Sequence, residues 1–150
     1  MYTWFDCKVV YDKMMDNGLL KKVSESYMVD AFNITEAEKR IIEELRPFMR
    51  GEFEVTDVRK AKIAEVIDKN TLEDVFWYKL KLTYIVIDEK KGKEKKTSNF
   101  VLTKAHDVKH AIANLEESMK GSVMDYTITA IMETAYMDVF HYVQATNKEN

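Results

Sequence analysis

A chain of 150 residues, 46% hydrophobic and 33% charged with a formal net charge of −3, has the balance of a folded protein of single-domain size. Such a chain can bury roughly 70% of the surface its unfolded form exposes. One cysteine, Cys7, excludes an intrachain disulfide and a multi-cysteine metal site, and the mildly acidic total confines any contact with nucleic acid to a local basic patch.

The first segment, "WFDCKVVY" at 4 to 11, sets Phe5, Cys7, Val9 and Tyr11 against Trp4, Asp6, Lys8 and Val10, the period of a half-buried strand. "DNG" at 16 to 18 predicts a hairpin turn, because Asn-Gly tolerates the positive φ angles that two-residue turns require. A helix is expected from Thr35, where Thr35 and Glu38 form a capping box and Ala37, Ile41, Leu45 and Phe48 supply the apolar stripe. Pro47 should end or kink it. Residues 53 to 67 are long for one strand and change their apolar parity near Asp57, which predicts a bend, a bulge or two short strands. "DKNTLEDV" at 68 to 75 is a polar connector.

The same order then returns. Trp77, Tyr78, Lys81, Leu82 and Tyr84 answer Trp4, Phe5, Lys8, Val9 and Tyr11, and a shared pattern G-x-x-K-K-[VT]-S aligns Gly18, Lys21, Lys22 and Ser24 with Gly92, Lys95, Lys96 and Ser98. A second helix is expected after Asp107 as N-cap, with Val108, Ala111, Ile112, Leu115 and Met119 on its apolar side and Gly121 as its stop. Phe53, Val55, Thr56 and Val58 match Tyr126, Ile128, Thr129 and Ile131, with a second parity change near Ala130. Ordered matches of this kind predict an α+β domain made by internal duplication of a ββαβ unit. Its repeats are 1–67 and 76–142, joined by the linker 68–75, with antiparallel sheets and one helix per repeat packed on a face.

Candidate sites follow from the repeat. Lys21, Lys22, Lys95 and Lys96 belong to both copies, whereas Lys90, Lys91 and Lys93 belong to the second hairpin alone; the bland account is a solvated tip that resists edge pairing. Read functionally, the two G-x-x-K-K arms present ammonium groups to a phosphate-bearing ligand, with Trp4 and Trp77 near the same strands as stacking platforms. In the first hairpin the corresponding tip is apolar, and Met14, Met15, Leu19 and Leu20 make a candidate interaction surface, covered by the second repeat or in a homodimer. His106 and His110, four apart, could share a metal, but no third ligand can be assigned from the sequence, so a solvated helical turn is the reading taken and no metal is expected. Met124, Met132 and Met137 read as core filler, and His141 as an ordinary strand end. No phosphate loop, dinucleotide fingerprint or nucleophile elbow occurs, so no cofactor and no catalytic residue is predicted.

The pattern "WFDCKVVYDK…NG…KKVSESYMVDA…TEAE", with "GEFEV" and "ETAYMDVF", resembles a domain-of-unknown-function family of small Bacteroidetes and phage proteins, over nearly the whole chain. The resemblance implies bacterial or phage origin and brings no catalytic residues. The expected function is a non-enzymatic binding protein that engages nucleic acid or a nucleotide through its lysine arms. The alternatives are a protein-interaction module, such as a phage regulator of a host protein, working through the apolar tip, and more weakly a small-molecule enzyme in a groove between the halves. With no apolar run near the ~20 residues that span a bilayer and no leader pattern in "MYTWFDCKVVY", the expected location is cytoplasmic, without membrane contact.

Overall fold

The computed structural model describes residues 2–69, 73–122 and 124–141. Its elements run β1 (Thr3–Met14), β2 (Leu20–Ala31), α1 (Ile34–Leu45), a 3-10 turn (Arg46–Phe48), β3 (Phe53–Lys60), β4 (Glu65–Ile67), β5 (Phe76–Asp88), β6 (Lys93–Ala105), α2 (Val108–Ser118), β7 (Tyr126–Glu133) and β8 (Tyr136–Phe140). They form two four-stranded sheets, in the orders β3-β1-β2-β8 and β4-β6-β5-β7. The α+β expectation therefore holds as two antiparallel-rich sheets, each with one helix. No helix among the described residues is long and apolar enough to cross a membrane.

The two sheets divide the chain differently from the repeat boundaries. One compact unit takes the chain as far as Ala61 together with the stretch from Ala135, and the other is Lys62–Thr134. β4 pairs in parallel with β6, and β8 pairs in parallel with β2. The stretches 53–67 and 126–140 thus each supply an edge strand to two sheets. Backbone bonds mark the hand-over: Ala61 N–H to the Trp4 carbonyl closes the first sheet and Ala64 N–H to the Phe100 carbonyl opens the second.

In the first unit the β1 and β2 residues Phe5, Cys7, Val9, Tyr27, Val29 and Ala31 share a face by their antiparallel register. α1 covers that face with Ala37, Ile41 and Leu45, all buried. The second unit repeats the arrangement with Tyr78, Leu80, Leu82, Val101 and Ala105 beneath Ala111 and Leu115 of α2. The parity changes near residues 57 and 130 are bulges. Pairing with β1 slips between Lys8 and Val9 so that Thr56 is left over, and pairing with β5 slips between Lys81 and Leu82 at Thr129.

Four local expectations need correction. The N-cap of α1 is Asn33, whose side chain accepts the Glu36 N–H at 2.8 Å while Glu36 reaches back to the Phe32 N–H at 3.4 Å. This capping box sits two residues before the Thr35 box. The first hairpin turns through three residues, with the Gly18 N–H on the Met15 carbonyl and Gly18 carrying the positive φ, 82°, that such a loop demands. Phe48, counted in the α1 stripe, follows the helix in the 3-10 turn that begins before Pro47 and is exposed. Met124, Met132 and Met137 are likewise exposed rather than core.

Cys7 is fully buried in the first core, and burial, followed by the nearby Asp6, Asp57 and Glu38 carboxylates, pushes its thiol from 9.0 up to about 12. Tyr27 and Tyr136 are pushed up from 10.0 too, by burial first and then by hydrogen bonds to Glu25 and Asp6. A raised folded-state value favours the protonated form in the native chain. Stability from Cys7 is therefore complete below pH 9 and is lost as pH rises toward 12, by up to ~1.4 kcal/mol per pH unit per such group. The expected result is a thiol inert to iodoacetamide at pH 8 until urea unfolds the chain, with an unfolding free energy that declines above pH 9. Labelling at the rate of a free thiol in the native chain would contradict it.

Candidate functional site

A concavity in the first unit follows from element lengths. At ~3.4 Å per residue the 12-residue β1 runs ~40 Å, whereas the 12-residue α1 at ~1.5 Å per residue runs ~18 Å. The helix therefore covers only part of the hairpin. Beyond its end opens a groove of about 880 Å³, lined by the hairpin tip, the turn after α1 and β8. Tyr27 and Phe140 lie in the groove, their rings stacked with centroids 6.1 Å apart.

Its apolar rim is unusually open. Phe48 is 77% exposed, Met14 69% and Leu20 64%, and Met137 joins them from β8. The charged lining is unbalanced: Asp12, Glu25, Glu52 and Asp138 stand against Lys13 and Arg50. The Tyr27 hydroxyl donates to Glu25 at 3.3 Å, and burial first, then the Glu25 charge and this bond, favour the protonated phenol.

Met14, Met15, Leu19 and Leu20, singled out from the sequence, are exposed, and two of them reach the groove. Phe48, Met49, Met137 and Phe140 were missed: nothing in the sequence says that β8 pairs with β2, and Phe48 was assigned to the α1 stripe although Pro47 signalled the helix end.

The lysine arms fare differently. Lys21, Lys22, Lys91, Lys93, Lys95 and Lys96 are all exposed and make no ion pair among the described residues. Neighbouring strand residues point to opposite faces, so Lys21, opposite Lys13, shares the helix face, while Lys22, opposite Asp12, lies on the other. Lys95 and Lys96 divide in the same way, opposite Val86 and Ile85. Neither pair converges on one ligand. Trp4, 8% exposed, and Trp77, 2% exposed, are buried and unavailable as stacking platforms for bases. Trp4 packs edge-on to His141 instead, at 5.2 Å between centroids, and His141 Nδ1 lies 3.2 Å from Asp30 Oδ2.

His106 and His110 do come together, their rings stacked 4.1 Å apart, and they face a third group that the sequence reading placed in the connector, Asp74.

Residues 3–142 match the domain of unknown function DUF4494. The chain belongs to that family. No curated protein and no solved structure matches it.

Proposed function

We propose that this DUF4494 chain is a non-enzymatic binding protein of the cytoplasm that takes an apolar segment flanked by basic residues into the groove beside its first hairpin tip. The observation that carries this reading is the joining of exposed Met14, Leu20, Phe48 and Met137 around one acidic-rimmed cavity. Apolar surface left in water is costly, at roughly 25 cal/mol per Å², and an occupant would recover that cost. The surplus of carboxylates selects for positive flanks and speeds encounter. The occupant belongs to a protein partner, such as a host protein met by a phage regulator, or to a second copy of the chain.

Fluorescence anisotropy tests this with a labelled peptide alternating leucine and lysine, and its leucine/glutamate counterpart as control. The lysine form should bind and the glutamate form should not. A Met14→Glu/Leu20→Glu variant should lose at least ~10-fold in affinity, as expected when two charges enter an apolar contact. Equal binding of both peptides, or an unaffected variant, would overturn the assignment.

Phosphate-bearing ligands remain the second reading, favoured by one feature: Lys13 and Lys21 stand directly opposite each other on the helix face, a like-charge pair that an anion would relieve. If so, changing Lys21, Lys22, Lys95 and Lys96 to Gln abolishes salt-sensitive binding of a labelled oligonucleotide while leaving peptide binding intact. Unchanged oligonucleotide affinity removes the lysine arms from consideration.

We infer as well that the two units descend from one duplicated ββαβ element. Support comes from matched hydrogen bonds. The Thr56 and Thr129 hydroxyls bond the Lys8 and Lys81 carbonyls, and Arg40 and Asn114 bond the carbonyls of Asp30 and Lys104, ten residues before each. Glu36 and His110 accept the N–H of Phe32 and His106, four before each.

A further inference from the structure

We propose that Asp74, His106 and His110 form a binding site for a divalent first-row transition metal in the second unit. Asp74 is only 3% exposed, and its Oδ1 lies 3.1 Å from His110 Nδ1 and 3.6 Å from His106 Nδ1. One ligand atom from each of the three residues lies within 4.8 Å of the other two, so small side-chain rotations bring all three onto one ion. His110 Nδ1 also accepts the His106 N–H at 3.3 Å through its single lone pair, a bond that ligation through this nitrogen replaces. Two acceptor atoms, Asp74 Oδ1 and His110 Nδ1, then confront each other across 3.1 Å. A cation held between them relieves that repulsion.

The matching corner of the first unit shows what the fold needs there without a metal. Phe32, Asn33 and Glu36 occupy the places of His106, Asp107 and His110 and make the same capping bonds, while Phe32 stacks on Tyr2 with centroids 4.0 Å apart. An aromatic stack and a capping glutamate satisfy the architecture. Two imidazoles around a buried carboxylate are therefore not required for capping the helix. They supply the donor set that first-row metals favour, two imidazoles and one carboxylate. His106 remains half in water, which leaves coordination positions open beyond these three. The positive end of α2 opposes a cation, and the Asp107 carboxylate, 3.7 Å from His106 Nε2, offsets it.

The test uses the full chain stripped with chelator and titrated with Co²⁺, followed by displacement with Zn²⁺. The expected result is one equivalent of Co²⁺ bound, with ligand-field absorption in the visible that Zn²⁺ abolishes. His110→Gln keeps a capping acceptor at the third helical position, as Glu36 does in the first unit, and removes a ligand. It should lower affinity by more than the ~10–100-fold that outer-shell changes cost, with circular dichroism unchanged. Asp74→Asn should do the same. Absence of ligand-field bands, the outcome if Asp74 and the imidazoles form only an ion pair, overturns the site, as does unaltered affinity in a folded His110→Gln chain.

Discussion

Replacing Arg40 by Ala is expected to lower the unfolding free energy by roughly 3–5 kcal/mol, the loss that follows when one partner of a buried ion pair is removed. Arg40 Nη1 stands 2.6 Å from Asp30 Oδ1, both side chains are nearly buried, and the same nitrogen donates to the Asp30 backbone carbonyl. Without it the carboxylate keeps His141 but loses the guanidinium. A second change, Asp30→Asn in the Arg40→Ala background, should return part of the loss because no buried charge is then left behind. Asn114, the counterpart of Arg40 in the second unit, makes only a neutral bond to the Lys104 carbonyl, at 3.2 Å. Its replacement by Ala should cost about 1 kcal/mol. Urea unfolding of the four chains checks both the ranking and the rescue; equal losses for Arg40→Ala and Asn114→Ala would contradict the electrostatic account.

Ile41→Ala should be comparably damaging, by about 2–5 kcal/mol. Ile41 is fully buried at the middle of α1, where it stands one turn from Ala37 and from Leu45 and closes the first core. Little can collapse into the space it leaves, because β1 and β2 below it are fixed by a 12-pair ladder. A loss under ~1 kcal/mol in urea unfolding would mean that α1 packs more loosely than its burial states.

Much of this fold was legible because its local signals are periodic. Alternation marked β1 and β5, the aspartate at the start of α2 marked its cap, and the parity breaks marked the two bulges at Thr56 and Thr129. The α1 start was displaced by two residues because Asn33/Glu36 and Thr35/Glu38 are both capping boxes by composition; only tertiary packing of Ala37, Ile41 and Leu45 decides between them. What sequence could not carry was pairing. Residues 65–67 and 136–140 read as strand ends, yet nothing in Glu65-Val66-Ile67 specifies β6, or in Tyr136 to Phe140 specifies β2, since an edge strand is chosen by the neighbour that is free.

The candidate groove was legible by half for the same reason. Met14 and Leu20 announced themselves as apolar residues at a turn, but Met137 and Phe140 reach the cavity only through the parallel β2–β8 pairing, and Phe48 only through the early end of α1. At the other end of the chain's chemistry, His106 and His110 were visible by spacing. Asp74 was not, because a connector residue has no periodicity to place it.

Methyl spectra of the chain, with its nine methionines labelled, titrated with the leucine/lysine peptide, test the central claim most directly. Met14, Met49 and Met137 line the groove and should shift together, saturating at one common affinity, while Met119 and Met132 in the second unit stay in place. Unmoved groove methionines, or equal shifts at Met119 and Met132, would contradict the assignment of the groove as the binding site.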